Sequence, residues 1–287
     1  MRLQLEKDTA IVELDGRVLA RGGEAAIYEV PGKPALVAKV YHKPADGRAA
    51  KLAAMIAAPP EDPMAASGHA SIAWPSDRLF RIDKGPYCAG FVMPRVDNAR
   101  TVFDFYNPAR RLKQCPLFHY GYLMRTARNL AAAVHAIHQR GYVIGDVNES
   151  NILVTNQALV TLVDTDSFQV SDGQRVHRCL VGKPEYTPAE LQGARFADLD
   201  RKPEHDNFAL AILIFQLLMQ GMHPFNGRFT GKGEPPPLHR RIAAGHWPYA
   251  RGRPMPYEPN PLAPPFAVLP PPVQELMRLC FEEGHDR

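Results

Sequence analysis

Short apolar runs separated by Gly, Pro or Asp fill the first third of the chain. Runs rich in branched and aromatic side chains cover residues 10–14, 25–30, 35–41, 78–82 and 89–96. Runs of this length and composition are typical of β-strands. One helical candidate at 47–58 interrupts them, and a polar, proline-containing loop follows at 59–67. The pattern predicts a small β-rich region with one helix.

The period of the apolar positions changes after residue 100. Apolar residues then recur at spacings of four and three, which predicts an amphipathic helix over 119–140; its stripe is Leu123, Ala127, Leu130, Val134 and Ile137. Strand-like runs follow at 150–155 and 158–164, then a helix at 207–220, a proline-rich stretch at 233–272 and a helix at 272–281. The order predicts an α+β fold with a β-rich lobe over 1–96 and a larger helical lobe over 97–287.

Composition and charge narrow the class of protein. With 45% hydrophobic residues, the chain can bury a substantial core. The net charge of +4 comes from scattered basic residues, and the basic stretch 228–253 does not interleave aromatic side chains, so nucleic-acid binding is not expected. The N-terminus lacks the apolar core of a signal peptide, and the longest apolar run, 208–219, is too short to cross a bilayer. We therefore expect a cytoplasmic protein without membrane contact.

The first candidate site lies around Asp146 and Asn151, which stand five residues apart between two apolar runs; Asp164 ends the second run. A hairpin of these runs would bring Asn151 and Asp164 to one end. Their oxygens suit Mg²⁺, which completes its shell with water and phosphate oxygens. Asp146 would stand nearby and accept the proton of an attacking hydroxyl. For Asp146 and Asn151 alone, an Asx turn in a loop explains the spacing as well.

The second candidate site lies in the β-rich region, where Lys39 falls within the apolar run 35–41. An ammonium in an apolar strand needs a partner, so Lys39 either reaches the surface at a strand edge or points at a phosphate in a cleft. Gly22 and Gly23 lie upstream between two strand-like runs. Backbone N–H groups of such a turn can cradle phosphates, although Gly-Gly is also a common hairpin turn.

In order and spacing, these motifs resemble the eukaryotic-type protein kinase fold over nearly the whole chain. RGGEAAIYEV is similar to the glycine-rich loop, VAK to the ATP-lysine strand and VMPRV to the hinge. IGDVNESN resembles the catalytic loop, DTD the DFG metal site and GKPEYTPAE the end of the activation segment. More narrowly, the chain resembles divergent bacterial kinases that carry C-terminal helix-hairpin-helix segments and are encoded near von Willebrand-type and metal-dependent phosphatase partners.

The resemblance implies a protein Ser/Thr kinase that uses ATP with Mg²⁺ or Mn²⁺ and acts on a protein substrate. By position, Lys39 would hold the α- and β-phosphates, Asp146 would face the acceptor hydroxyl, and Asn151 and Asp164 would bind the metal. The residues implied around the nucleotide are Gly22 and Gly23 over the phosphates, Met93 as gatekeeper, the Pro94 carbonyl and Val96 N–H at the adenine edge, and Ile27, Ala38 and Leu153 around the adenine ring.

The catalytic loop and the DFG site depart from the family pattern. Ile144 and Gly145 replace the His and Arg before the catalytic Asp. A phosphate on the activation segment therefore lacks its usual cation, and activation by phosphorylation is not expected. Thr165 and Asp166 replace the Phe and Gly of the DFG site. Asp166 would either bind metal or take an unusual backbone conformation, which Asp tolerates.

Two further departures concern basic residues. The helix 47–58 offers no Glu to pair with Lys39, and Glu24 is one candidate replacement. The Lys that the family places two residues after the catalytic Asp is Asn148 here, and Lys183 stands at a Thr position of the activation segment. Lys183 would either supply the missing cation to catalysis or be a solvated loop residue.

Two other functions fit the same motifs. A pseudokinase, binding nucleotide or only a partner as a scaffold, is favoured by the missing helix Glu and the altered DTD, and opposed by the retained Lys39, Asp146, Asn151 and Asp164. A small-molecule phosphotransferase of related fold shares the Asp–Asn spacing. The GKPEYTPAE segment argues against it, because in the family that segment forms a platform for protein substrates.

Overall fold

The smaller lobe of the computed structural model, which describes residues 1–14, 17–45, 47–83 and 87–284, is an antiparallel sheet of seven strands. The strands are β1 (Arg2–Leu5), β2 (Ile11–Glu13), β3 (Val18–Arg21), β4 (Ala25–Glu29), β5 (Leu36–Tyr41), β6 (Asp77–Arg81) and β7 (Tyr87–Pro94). Their spatial order is β2-β1-β6-β7-β5-β4-β3. Lys39 thus lies on an interior strand, which excludes the strand-edge alternative.

The five predicted strands are present as β2, β4, β5, β6 and β7; β1 was not predicted, and β3 was indicated only as the strand-like run before Gly22. Each of these two has four residues and charged or polar positions among its apolar ones. Such short segments carry little periodic signal, and their pairing with β6 and β4 decides their structure.

The helix of the smaller lobe, α1 (Arg48–Ala57), is two residues shorter than predicted and buries Leu52 and Met55. The Trp74 indole N–H donates to the Met55 carbonyl over 2.8 Å. The Tyr142 hydroxyl, from the helical lobe, donates to the Ala58 carbonyl over 2.9 Å. These bonds fix the C-terminal end of α1 against both lobes.

The larger lobe contains six helices and seven short strands within its described part. In chain order they are β8 (Ala99–Thr101), α2 (Val102–Tyr106), α3 (Pro108–Gln114), α4 (Tyr120–Gln139), β9 (Ile152–Thr155), β10 (Val160–Leu162), β11 (Val170–Ser171), β12 (Val176–His177), α5 (Pro203–Leu218), β13 (Gly227–Phe229), α6 (Leu238–Ala243), β14 (Tyr257–Pro259) and α7 (Pro271–Arg278). A π-helical turn, Leu279–Glu283, extends α7. The domain boundary after residue 96 stays a prediction.

The core of the larger lobe forms between α4 and α5. The predicted α4 stripe is buried throughout, which confirms that helix. Ile212, Leu213 and Phe215 of α5 are fully buried, so its apolar run is that of a core helix. No helix in the described part of the chain is long and apolar enough to cross a bilayer.

Candidate active site

The loop before β9 holds Asp146 and Asn151 together. The Asn151 amide nitrogen donates to the Asp146 carbonyl over 3.0 Å and to its carboxylate Oδ2 over 3.2 Å. The other carboxylate oxygen, Oδ1, is buried and has no hydrogen-bond partner among the described residues. Burial also raises the pKa of Asp146. An unpaired, desolvated carboxylate oxygen can accept a proton from an incoming hydroxyl.

Asp206, on α5, fixes the start of this loop. Its buried carboxylate accepts backbone N–H bonds from Ile144 over 2.7 Å and from Gly145 over 2.8 Å. His138 Nε2, at the end of α4, lies 2.9 Å from the same carboxylate. Because α4 and α5 form the core, these bonds anchor the backbone before Asp146 to the core of the lobe.

The β9–β10 hairpin brings Asn151 and Asp164 to one end, as expected. Asn151 comes directly before β9 and Asp164 follows β10, and the Val163 N–H donates to the Asn151 carbonyl over 2.9 Å. Because the Asn151 nitrogen is used by Asp146, its amide oxygen is the atom available to a cation. One amide and one carboxylate oxygen, completed by water and phosphate, suit Mg²⁺ or Mn²⁺. The described residues contain no cluster of three or more His, Cys, Asp or Glu side chains suited to a metal.

Lys39 reaches the same end of the hairpin from the sheet. Its ammonium lies 2.5 Å from Oδ1 of Asp164 and 2.5 Å from Oδ1 of Asp166. Burial opposes the charge of Lys39, but the carboxylates of Asp166 and Asp164 raise its pKa overall. The suggested partner Glu24 was wrong, because Glu24 pairs instead with Arg48 of α1 over 2.7 Å.

The unusual backbone conformation occurs at Asp164 rather than at Asp166. Asp164 has φ 59 and ψ 33, in the left-handed region, whereas Asp166 lies in a 3₁₀ turn, Thr165–Ser167. The Thr165 side chain is fully buried, and its hydroxyl donates to the Ala73 carbonyl over 2.8 Å. Thr165 therefore fills the position of the family's Phe with a hydrogen bond to the backbone.

The register of the sheet shows which side chains share the face of Lys39. Ile27 stands directly opposite Lys39, and Met93 stands opposite Val37; residues two apart on a strand share a face. Ile27 and Met93 therefore lie on the Lys39 face. Ala38 lies on the other face, in the second core cluster of the sheet. The expectation for Ala38 is corrected: Val37 takes its place on the cleft side.

The remaining nucleotide-site residues lie on turns and edges. Gly22 and Gly23 form the turn between β3 and β4, with the Gly22 N–H bonded to the Ala25 carbonyl over 2.9 Å. Val96 follows Pro94, the last residue of β7, by two positions, and both are partly exposed. Leu153 is partly exposed on β9. Their contacts with a nucleotide stay predictions.

Lys183 comes to the catalytic loop, although not to Asp146. Its ammonium lies 2.9 Å from Oε1 of Glu149 and 2.8 Å from Oγ of Ser150. Asn148 is 1% exposed, and its carboxamide caps the turn by accepting from the Ser150 N–H over 2.9 Å. Asn148 is thus a structural cap, and Lys183 brings a cation to this loop from the activation segment.

Comparisons with known proteins point to one fold. No family model matches the chain. It is similar to protein kinase YegI from two Escherichia coli strains, with 34% identity over 275 residues and 32% over 292, which are 94% and 99% of this chain. These matches cover 41% and 44% of the YegI proteins, so the chain spans less than half the length of these curated relatives.

Solved structures that are similar to this chain point to the same fold as the sequence relatives. The ROP18 kinase domain in complex with AMP-PNP and sucrose superposes with a TM-score of 0.61 at 16% identity, over 99% of this chain and 78% of that one. This chain has the protein kinase fold. ROP2 from Toxoplasma gondii, described as having a protein-kinase fold and no enzymatic activity, also has a TM-score of 0.61, at 15% identity over 100% of this chain and 78% of that one. The fold alone therefore does not decide activity.

The activation segment of this kinase fold is held without the family's catalytic-loop Arg. The Arg201 guanidinium, which precedes α5, donates to the carbonyl oxygens of Gly145 and Val181. It also stacks on the Phe196 ring, 3.7 Å from its centroid. Cys179 packs against Gly145, which has φ of +78, and Cys179 and Arg201 leave no room for a Cβ there. Arg201, which lies after both segments in the chain, thus joins the catalytic loop to the activation segment.

Sequence reasoning missed Arg201, Tyr41 and His138. Each acts through a contact that spans a long stretch of chain: Arg201 reaches Gly145 over 56 positions, and Tyr41 reaches Asp166 over 125. Neither contact leaves a periodic signal. For His138 the sequence did offer a signal: the residue lies at the end of the α4 stripe, next to the segment that Asp206 binds.

Proposed function

We propose that this chain is an ATP-dependent protein Ser/Thr kinase domain that works with Mg²⁺ or Mn²⁺. One observation carries the proposal: Lys39 contacts Asp164 over 2.5 Å while Asn151, held by Asp146, starts the same hairpin. Phosphoryl transfer needs positioning and charge neutralisation more than covalent chemistry from the protein. The kinase relatives and the kinase fold support this choice.

Each residue of the proposed active site has its own role. Lys39 binds the α- and β-phosphates, and Asn151 and Asp164 hold the metal, which when bound neutralises charge on the β- and γ-phosphates. Asp146 orients the acceptor hydroxyl and takes its proton as the oxygen attacks the γ-phosphorus and ADP leaves. Nucleotide-facing residues of the proposed site are Gly22, Gly23, Ile27, Val37, Met93, Pro94, Val96 and Leu153.

The surface beside the catalytic loop supports a protein substrate. A cavity of about 370 Å³ is lined there by residues that include Glu149, Lys183, Glu185 and Tyr186. The last three come from the activation segment that resembles the family's substrate platform. A small-molecule phosphotransferase does not need that platform, so the protein substrate is preferred.

A pseudokinase is the second candidate. The observation in its favour is that Lys39 is engaged by two carboxylates, Asp164 and Asp166, at 2.5 Å each, so nucleotide competes with them for the ammonium. The two functions differ in transfer and not in fold. Purified protein incubated with γ-labelled ATP and Mg²⁺ or Mn²⁺ should transfer label to Ser or Thr of itself or of added protein. Nucleotide binding without transfer to any acceptor would favour the pseudokinase.

The resemblance extends the proposal to cellular context. We place the protein in the bacterial cytoplasm, with a metal-dependent phosphatase and a von Willebrand-type protein as partners. Co-purification of the tagged chain with both partners from its native host tests this part independently of activity.

A further inference from the structure

Among the residues of the smaller lobe that the structure describes, none holds Lys39 with a carboxylate from the helix side. α1 contains no acidic residue and places Arg48 and Lys51 in its first turn. Lys51 is half-buried, and burial lowers its pKa. Glu24 is occupied by Arg48. If Lys39 acts on phosphate, another anion must hold it.

We propose that Asp166, held in place by Tyr41, is the positioning residue for Lys39, a step that rests on the proposed kinase function. Asp166 contacts Lys39 over 2.5 Å through Oδ1 and accepts the Tyr41 hydroxyl over 2.8 Å through Oδ2. Both of its oxygens are therefore engaged. Lys39 and Tyr41 lie two apart on β5 and share a face of the sheet, so one carboxylate spans both side chains.

The two carboxylates at Lys39 differ in solvent exposure, and this difference gives them different roles. The Asp166 side chain is 12% exposed and the Asp164 side chain is 43% exposed. Asp164 is thus the more accessible of the two to a metal, while Asp166 is largely enclosed. When Asp164 turns to the metal, Asp166 remains as the anion that keeps the ammonium aimed into the cleft.

The ring of Tyr41 is itself fixed. The Arg48 guanidinium lies 4.1 Å from the centroid of the Tyr41 ring and also pairs with Glu24. Burial and the charge of Asp166 raise the pKa of Tyr41, so the hydroxyl stays protonated and remains a donor. Arg48 of α1 thus acts on Lys39 indirectly, through Tyr41 and Asp166.

A double-mutant cycle on the full chain tests this arrangement. ATP is titrated calorimetrically into wild type, Asp166→Asn, Lys39→Met and the double variant, once with MgCl₂ and once with EDTA. Loss of a charge-assisted bond corresponds to about tenfold to hundredfold in affinity. We expect Asp166→Asn to weaken binding by about that factor with and without metal, and to add little in the Lys39→Met background. Tyr41→Phe should cause a smaller loss of the same kind.

Matched controls separate positioning from general damage. Asp198→Asn makes the same chemical change in an exposed ion pair with Arg195, and Tyr120→Phe removes a buried hydroxyl without a hydrogen-bond partner among the described residues. Both should bind ATP like wild type. If Asp166→Asn does not fold, Tyr41→Phe, which keeps the charge pair, decides instead.

Four results would overturn the inference. A loss seen only with MgCl₂ would make Asp166 a metal ligand. Full additivity with Lys39→Met would mean that Asp166 acts on something else. Wild-type affinity in both Asp166→Asn and Tyr41→Phe would leave them no positioning role while the proposed function stands. A wild type that binds no nucleotide under any condition would refute the proposed function, and the inference with it.

Discussion

The Arg201 guanidinium donates a hydrogen bond to the Gly145 carbonyl, directly before Asp146. Arg201 is 5% exposed, and burial lowers its pKa. Its second nitrogen binds the Val181 carbonyl. One buried cation therefore ties the catalytic loop to the activation segment through two carbonyl oxygens.

Activity should therefore not depend on phosphorylation of the activation segment. Treatment with a broad-specificity phosphatase, followed by its removal, should leave the rate of phosphoryl transfer unchanged, because Arg201 holds Gly145 and Val181 through neutral carbonyls. Arg201→Met should lower the rate strongly, since the carbonyls of Gly145 and Val181 lose their charged donor. A rate that falls on dephosphorylation and returns on rephosphorylation would contradict this account.

Gly145→Ala should destabilise the protein more than Gly141→Ala. Both glycines have φ of +78, so both changes incur the left-handed penalty of about 1–2 kcal/mol. At Gly145 the new Cβ would also lie 2.7 Å from the Cys179 Cβ and 2.9 Å from an Arg201 nitrogen, while at Gly141 nothing lies within 4 Å. We expect about 1–3 kcal/mol of additional loss in chemical denaturation. Equal losses would show that the loop moves freely.

Lys183→Ala should lower kcat by about tenfold or more with little change in ATP affinity. Lys183 reaches the catalytic loop, where Glu149 and Ser150 fix its ammonium. Replacement of an exposed lysine on α3, Lys113→Ala, is the matched control. Steady-state kinetics with varied ATP separate kcat from KM.

The coupling of Lys183 with Glu149 gives the sharper result. Glu149→Gln combined with Lys183→Ala forms a cycle, and non-additive effects on kcat are expected. Asn148→Lys in the Lys183→Ala background is not expected to restore activity, because the Asn148 side chain is a buried cap. A Lys183→Ala protein with normal kcat would make Lys183 an ordinary loop residue.

Stability should fall as the pH drops from about 6.5 towards 4 because of His223. Burial lowers the pKa of His223 to about 4. Its Nε2 bonds the Glu185 carbonyl over 3.0 Å while Nδ1 accepts the Phe225 N–H over 3.2 Å, so the ring is neutral. The unfolded chain takes up a proton in this window and the folded chain does not, which costs about 3 kcal/mol in total.

Urea denaturation between pH 7 and 4 measures this effect. His223→Asn, which keeps an acceptor near the Phe225 N–H, should be less stable at pH 7 and should lose less stability on acidification. The difference in the free energy of unfolding between wild type and variant, taken at each pH, separates the titration of His223 from that of the other groups. An unchanged difference across the window would mean that His223 titrates normally in the fold.

The sequence predicted the elements whose apolar side chains follow a regular spacing. It missed the contacts between residues far apart in the chain, which no regular spacing marks. The α4 stripe and the α5 run follow from side-chain period alone, and the β9–β10 hairpin follows from two apolar runs. Ala38 was placed on the wrong face because a one-residue shift on a strand exchanges its two sides. The pairing of Lys39 with Asp166 joins positions 127 apart and depends on how the lobes meet, which no local pattern encodes.

The most direct test of a phosphotransferase site compares ATP binding with phosphoryl transfer in Asp146→Asn. In the proposed reaction Asp146 faces the acceptor and not the phosphates, and its carboxylate oxygen without a hydrogen-bond partner among the described residues accepts the proton. The variant should bind ATP and Mg²⁺ with wild-type affinity and lose transfer of γ-labelled phosphate by about a hundredfold or more. Transfer at the wild-type rate in Asp146→Asn, or no transfer by wild type to any acceptor, would contradict the account.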